Sequence, residues 1–242
     1  MTNIPKIIHY CWFGNNPLPE NVRKCIASWE KYCPDFEIKQ WNESNYDVNK
    51  YDYTREAYDK KKYAFVSDVA RLDIVSKFGG IYLDTDIELI KPLTLFLDDK
   101  LFMGMELPGR ISTGNGFGAI KGHHFIQKNL AEYKNRKFVL PNGHIDETSC
   151  VTITTNLLKK VYGLPFNNDT FVDDISIYSP DVFCPFNIET NKLLLTDRTV
   201  AIHHFDATWK SGDDKFLRIK IKLRRILGSE VYDFVKSYFK RN

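Results

Sequence analysis

The sequence predicts an α/β fold, and three observations carry that expectation. The chain opens strand–helix–strand, the signature of an α/β sheet. A helix that stops at Gly79-Gly80 is followed at once by the short apolar run Ile81-Tyr82-Leu83. The chain has 242 residues, 43% hydrophobic and 27% charged, which is enough apolar material for a full core.

In order along the chain, Ile4 to Gly14 reads as a strand ending in a glycine turn, with Pro17 and Pro19 punctuating the loop after it. Val22, Ile26 and Trp29 recur at helical spacing through Tyr32. Pro34 ends that helix, because proline excludes helical geometry from its predecessor. Phe36 to Trp41 alternates as a second strand does, and Asn42 to Lys62 reads as loop with a short helix. From Tyr63, the residues Phe65, Val69, Leu72, Val75 and Phe78 repeat every three or four positions, predicting a helix with one apolar face. Gly79 is the expected stop. Leu101–Met105 reads as a strand, Gly114–Ala119 as a glycine-rich strand or loop, and His123–Tyr133 as a helix. Lys134–Thr148 reads as polar loop, Thr199–Phe205 as a late strand, and Lys215–Lys240 as a basic helix. The expected organisation is one domain over residues 1–210 and a helical tail over 211–242.

Several classes are excluded by composition. No run approaches the ~18 apolar residues of a membrane-spanning helix. The first residues lack a secretory leader pattern, and five cysteines without a CxxC pair point to reduced thiols, so a cytoplasmic protein is expected. The net charge of +3 divides unevenly: residues 210–242 hold ten Lys/Arg against four Asp/Glu, so the remainder is mildly acidic.

Asp84 and Asp86 stand two apart at the end of the predicted strand, so both carboxylates would project to one side. Strand carboxyl ends are where α/β sheets bind ligands. Two such charges call for a cation between them, and Mg²⁺ or Mn²⁺ suits oxygen ligands. An isolated Asp-x-Asp is more commonly a solvated turn; the apolar strand and Gly-Gly break before it favour function. Asp68 and Arg71, three apart, share a helix face. Spacing alone leaves open a surface ion pair and a guanidinium aimed at a diphosphate. His203-His204 lies in an alternating strand, so only one of the two can face a site.

Ala64-Phe65-Val66-Ser67-Asp68-Val69-Ala70-Arg71-Leu72-Asp73, followed by Gly79-Gly80-Ile81-Tyr82-Leu83-Asp84-Thr85-Asp86, resembles the sugar-transferase region of glycosyltransferase family 32. That family includes bacterial capsular polysaccharide transferases and fungal mannosyltransferases, and the glucosylating domains of large clostridial toxins are similar. Residues 4–14 and Ile202-His203-His204-Phe205-Asp206-Ala207-Thr208-Trp209 resemble it too. The resemblance implies a single-domain, Rossmann-like mixed sheet of the GT-A type and a metal-dependent hexosyl transfer, retaining in outcome. A nucleotide-sugar would be the donor, UDP-sugars ahead of GDP-mannose, with a glycan or lipid-linked glycan acceptor in surface-polysaccharide synthesis. It places Trp12 on the donor base, with Ser67, Asp68 and Arg71 on sugar and phosphates and Tyr82 nearby. Asp84 would meet the ribose and a metal-bound water, and Asp86 the metal itself. Asn45 would border the nucleotide, His203 or His204 would complete the Mn²⁺ or Mg²⁺ site, and Trp209 would cover the diphosphate. Relatives often carry Ser where this chain has Thr208, which puts that end of the ligand set in doubt.

Glycines 114, 116 and 118 would let backbone approach a ligand. Glu106, Asp173 and Asp174 are candidate acceptor-side carboxylates. In the tail, Phe216, Ile219, Leu223, Ile226 and Leu227 form one helical face, and the stretch Lys215–Arg225 is basic around it. It reads equally as a helix docked on the body and as a contact with anionic membrane, which would put the protein at the inner face of the plasma membrane. Two other functions compete with transfer. A phosphatase using a nucleophilic first Asp is disfavoured because Glu88 stands where a Thr or Val is expected. A non-catalytic nucleotide-sugar-binding protein would bind donor without turnover. Nucleic-acid binding is disfavoured by the lack of interleaved aromatics in the tail.

Overall fold

A computed structural model describes residues 3–163, 165–187 and 192–205. Strand β1 (Ile7–Cys11), helix α1 (Glu20–Tyr32) and strand β2 (Glu37–Trp41) open the chain, followed by α2 (Asp52–Asp59), α3 (Tyr63–Phe78) and β3 (Gly80–Tyr82). Next come β4 (Ile87–Leu89), β5 (Leu101–Leu107), β6 (Arg110–Ala119), α4 (His124–Lys134) and α5 (Cys150–Tyr162). The described chain closes with β7 (Thr170–Val172), β8 (Ile175–Tyr178), α6 (Pro180–Phe183), β9 (Phe186–Asn187), β10 (Lys192–Leu193) and β11 (Ala201–His203).

Seven strands form one mixed sheet in the order β2-β1-β3-β6-β5-β8-β7. The β2, β1 and β3 strands run parallel, β6 is antiparallel to both β3 and β5, and β8 runs parallel to β5. A separate antiparallel pair, β4 with β11, brings His203 opposite Ile87. The α/β expectation, a mixed sheet flanked by helices, is what the chain forms; the basic tail lies outside the described residues.

Alternation along the strands builds a core on each face. Tyr82, Met103 and Phe117 join one cluster with α2, α3, α4 and α5, while Ile81, Leu83 and Phe102 join the other with Trp29 and Phe183. Trp29 is fully buried and its indole N–H is satisfied by the Ile87 carbonyl at 2.7 Å.

The helix that carries Asp68 and Arg71 departs from the expected single apolar stripe. On α3 the buried residues include Val66, Ala70 and Ile74 as well as Phe65, Val69, Leu72 and Val75. The reason is tertiary: α3 packs on β1, β3 and β6 while α2 and α4 pack against it. Phe78, counted in the stripe from its spacing, is 36% exposed at the helix end.

The Gly79-Gly80 break is fixed by sterics. Gly79 ends α3 at φ +70°, with its N–H on the Val75 carbonyl at 2.8 Å. Gly80 sits at φ +100°, where a Cβ would come within 2.9 Å of both the Ile7 carbonyl and His9 Nε2. The buried His9 ties this corner together. Its Nδ1 accepts from the Trp41 indole at 3.1 Å, so Nε2 carries the proton and donates to the Gly79 carbonyl at 2.9 Å. Burial pulls its pKa down to about 4, which keeps the ring neutral.

Candidate active site

Asp84 and Asp86 lie on the turn between β3 and β4, which corrects the strand-end placement expected from sequence. The Ile87 N–H closes the turn on the Asp84 carbonyl at 3.1 Å. Both side chains therefore reach one cavity through a turn and not through strand alternation. That cavity, about 480 Å³, runs across the strand ends. Its walls include Trp12, Phe13 and Tyr63 at one side, Ser67, Asp68, Arg71, Tyr82, Asp84 and Asp86 centrally, and Glu106, Glu147 and Ser149.

Arg71 organises the centre. Its guanidinium is 4% exposed and meets Asp68 at 2.9 Å and Asp84 at 3.1 Å, while its Nε donates to the Ser67 carbonyl at 3.1 Å. It also lies 4.9 Å from the centre of the Tyr82 ring, whose hydroxyl donates to Asp84 at 3.1 Å. The one-turn spacing of Asp68 and Arg71 thus becomes a buried, shared ion pair and not a surface one. Burial raises the pKa of Asp84 to about 6, helped by the neighbouring charge of Asp86 and opposed by Arg71 and His203. Burial likewise raises Asp68, against the pull of Arg71.

Gly114 explains why β6 has a glycine here. Met103 pairs with Phe117 and the next residue, Gly104, with Ser112, so Thr113 to Gly116 bulge from β6 toward the site. The Gly114 carbonyl accepts from the Asp84 N–H at 3.2 Å. A Cβ on Gly114 would stand 2.3 Å from Asp84 Oδ2 and 2.9 Å from Arg71 Nη1. Gly114→Ala is expected to leave the fold intact and lower donor turnover by ~100-fold, since ångström-scale misplacement of catalytic groups costs about that much. Wild-type turnover in a folded Gly114→Ala protein would refute this role.

His203 and His204 separate as strand alternation requires. His203 lines the cavity with Nε2 3.3 Å from Asp86 Oδ2, whereas His204 reaches Glu88 at 2.9 Å and is not among the lining residues. Burial works against charge on His203, but Asp86 and the Cys184 sulfur prevail and raise its pKa well above that of a free imidazole. Phe205 stacks on His203 at 4.0 Å and also lines the cavity.

Trp12 is half-buried, with its indole N–H on the Asn16 carbonyl at 2.7 Å and its ring on the cavity wall. Asn45 lies elsewhere. It is exposed, accepting from the Asn42 N–H and donating to the Gln40 carbonyl, both at 2.9 Å, so it shapes its own turn. Trp209, assigned to the diphosphate by resemblance, lies outside the described residues. Asp173 and Asp174 form the β7–β8 turn and do not line the cavity.

Helix α5 was not expected from sequence, yet Ser149, Cys150 and Val151 at its start line the cavity. The signals were present: the Ser149 hydroxyl caps the Thr152 N–H, apolar residues recur through Leu158, and Gly163 ends the helix at φ +68°.

Asp84 and Asp86 offer two carboxylates, which suit Mn²⁺ or Mg²⁺, with the His203 imidazole 3.3 Å from Asp86. Charge balance makes the same point. Asp68, Asp84 and Asp86 outweigh Arg71 and His203 even when His203 is protonated, so the centre of the cavity favours a cation over an anion. Among the described residues the group whose ligand atoms lie within 4.8 Å of one another is a different one, His123, His124 and Asp174. It lies outside the cavity lining. The His123 Nδ1 accepts from the Phe125 N–H at 3.2 Å, so Nε2 holds the proton toward Asp174, 3.2 Å away. Metal on Nε2 would move that proton to Nδ1 and break the cap of α4. The cluster reads as a helix cap.

Comparison with known proteins bears on the family. The family described as "Glycosyltransferase sugar-binding region containing DXD motif" matches residues 19–106. An uncharacterized glycosyltransferase, L373 of Acanthamoeba polyphaga mimivirus, is 37% identical over 197 residues, spanning 78% of this chain and 76% of that protein. Inositol phosphoceramide mannosyltransferase 3 of Schizosaccharomyces pombe is 33% identical over 127 residues, 51% of this chain but 35% of its own length. The match to mannosyltransferase 1 of that yeast covers 46% of its length, so this chain spans under half of either fungal relative. A solved glycosyltransferase involved in glycosylation of the major capsid of PBCV-1 aligns over 85% of this chain and 95% of its own, at 14% identity and TM-score 0.47. The chain belongs to the DXD glycosyltransferase family. Among the described residues no helix is long and apolar enough to cross a membrane.

Proposed function

We propose that this protein is a metal-dependent glycosyltransferase that moves a hexose from a nucleotide-sugar, a UDP-sugar first, to a glycan acceptor. The observation that carries the reading is the convergence of Asp84, Asp86, His203 and Arg71 on one cavity with an aromatic wall. Trp12 presents its ring for base stacking, and Asp86 with His203 and Asp84 would hold Mn²⁺ or Mg²⁺. Such an ion supplies Lewis-acid stabilisation of charge developing on the leaving diphosphate.

The chain's own groups do the rest. Arg71, locked by Asp68 and Asp84, is preorganised beside the diphosphate and needs no rearrangement as negative charge builds. Tyr82 fixes the Asp84 carboxylate, and Ser67 lines the donor side of α3. Retention of anomeric configuration and a surface-polysaccharide or lipid-linked acceptor belong to the same reading and rest on resemblance, whereas contact of the basic tail with an anionic membrane rests on its amphipathic, Lys/Arg-rich spacing.

Donor hydrolysis without acceptor tests it, across UDP- and GDP-sugars, with Mn²⁺ and with EDTA. Release of one nucleotide that EDTA abolishes and Mn²⁺ restores is expected. Turnover of a generic aryl phosphate in place of nucleotide-sugars would replace the reading with a phosphatase. Donor binding without turnover, even with a panel of acceptors, would replace it with a binding protein.

A further inference from the structure

The sheet order sets an order of chemistry across the cavity. Trp12 follows β1, the Asp84–Asp86 turn follows β3, Gly114 lies on β6, and Glu106 lies on β5, beyond β6. Glu147 joins Glu106 in the lining from the loop just before α5, and α5 packs on β6. The cavity thus has an aromatic end, a central Arg71–carboxylate group, and a second end with two further carboxylates.

Those two carboxylates differ from the central ones. Asp68 and Asp84 are committed to Arg71, and Asp86 faces His203. Neither Glu106 nor Glu147 makes an ion pair or side-chain hydrogen bond among the described residues, although both line the cavity. The loop with Glu147 also carries Asp146, which is held by Arg136 at 2.6 Å and by the Thr148 hydroxyl at 2.5 Å, so its backbone is anchored while Glu147 stays free.

We propose that Glu106 and Glu147 select the acceptor: this end of the cavity takes a neutral, polyhydroxylated acceptor and rejects an anionic one. The proposal rests on the donor reading above. Carboxylates are acceptor-only groups, so they pair with hydroxyl donors such as those of a neutral sugar. The same pair opposes any carboxylate or phosphate brought beside it, and like-charge juxtaposition across a binding surface is a strong discriminator. It also orients the donor, because the nucleotide's phosphates are repelled from the β5 end and left to the Arg71 centre. A hydrophobic wall would have rejected neither kind of acceptor on charge.

The test compares matched acceptors, a methyl hexoside and the corresponding methyl hexuronide, with the donor identified by hydrolysis. The wild-type protein is expected to favour the neutral acceptor by at least ~10-fold in kcat/KM. Glu106→Gln with Glu147→Gln, which keeps shape and removes charge, is expected to bring that ratio to within about threefold. A second measurement needs no variant: the wild-type preference should shrink as salt rises from 0.05 to 0.5 M (about 14 to 4 Å of screening length). Equal use of both acceptors by wild type, or a preference untouched by both the double substitution and salt, overturns the inference while leaving the transferase reading intact. Failure of wild type to turn over any nucleotide-sugar with Mn²⁺ would overturn that reading, and this inference with it.

Discussion

Arg71→Met is expected to destabilise the fold by about 3–5 kcal/mol and to abolish donor turnover, because it strands the buried carboxylate of Asp68 and removes the partner of the half-buried Asp84. The guanidinium now serves Asp68 and Asp84 from a position 4% exposed, and methionine would fill much of its volume without its charge. Removing one partner of a buried pair costs more than the pair contributes, since the remaining charge has neither water nor a counter-ion. Asp84 already has its pKa raised to about 6 by burial, with Arg71 holding it down. Without Arg71 that carboxyl would take up a proton near neutral pH, costing the proposed metal site an anionic group. Arg71→Lys keeps the charge but not the planar fork that meets two carboxylates at once, so it should recover most of the stability and little of the turnover. Urea unfolding and nucleotide release, measured on both variants, check this. A methionine variant within 1 kcal/mol of wild type would sink the argument.

Asp86→Ala is expected to show the opposite signature: a loss of at least ~100-fold in nucleotide release with a nearly unchanged unfolding midpoint. Asp86 is on the turn, partly exposed, with His203 3.3 Å away. In the proposed function, losing it removes a metal-ligand position and not a packing element. Asp86→Asn, which preserves shape and a hydrogen-bond acceptor for His203, should fall with the alanine variant if charge toward the metal is what matters. Metal titration separates the cases: the substituted proteins should need far more Mn²⁺ for whatever rate remains. An asparagine variant with wild-type rate and wild-type Mn²⁺ dependence would remove Asp86 from the site.

Much of this site is legible in the sequence because its parts are local. The strand–helix–strand opening, the Gly79-Gly80 stop and the Asp84–Asp86 doublet each follow from short-range rules about helix ends, glycine and charge. The one-turn spacing of Asp68 and Arg71 correctly puts them on one face. The pattern 64–86 is enough to point to the family, and the family match over residues 19–106 agrees.

What local spacing could not supply is burial. Whether Asp68–Arg71 is a solvated pair or a buried one depends on α2 and α4 packing against α3, which no i, i+3 count contains. The same packing hid the all-round burial of α3 behind an apparent one-sided stripe. Asp84 and Asp86 converge through a turn whose shape depends on Gly114 arriving from β6, some thirty residues on. His203 and His204 were equivalent in sequence until the β4–β11 pairing set their facing. Asn45 had its motif context but spends its side chain on its own turn.

The sequence by itself determined the α/β class, the family and the chemical identity of the site's charges, since these reside in residue types and near-neighbour spacing. Only the tertiary structure decided which charges are buried together, which histidine meets Asp86, and that Glu106 and Glu147, across the sheet from Trp12, have no ion-pair partner among the described residues. The physical reason is that charge acts through distance and desolvation, and both are set by contacts between segments far apart in the chain.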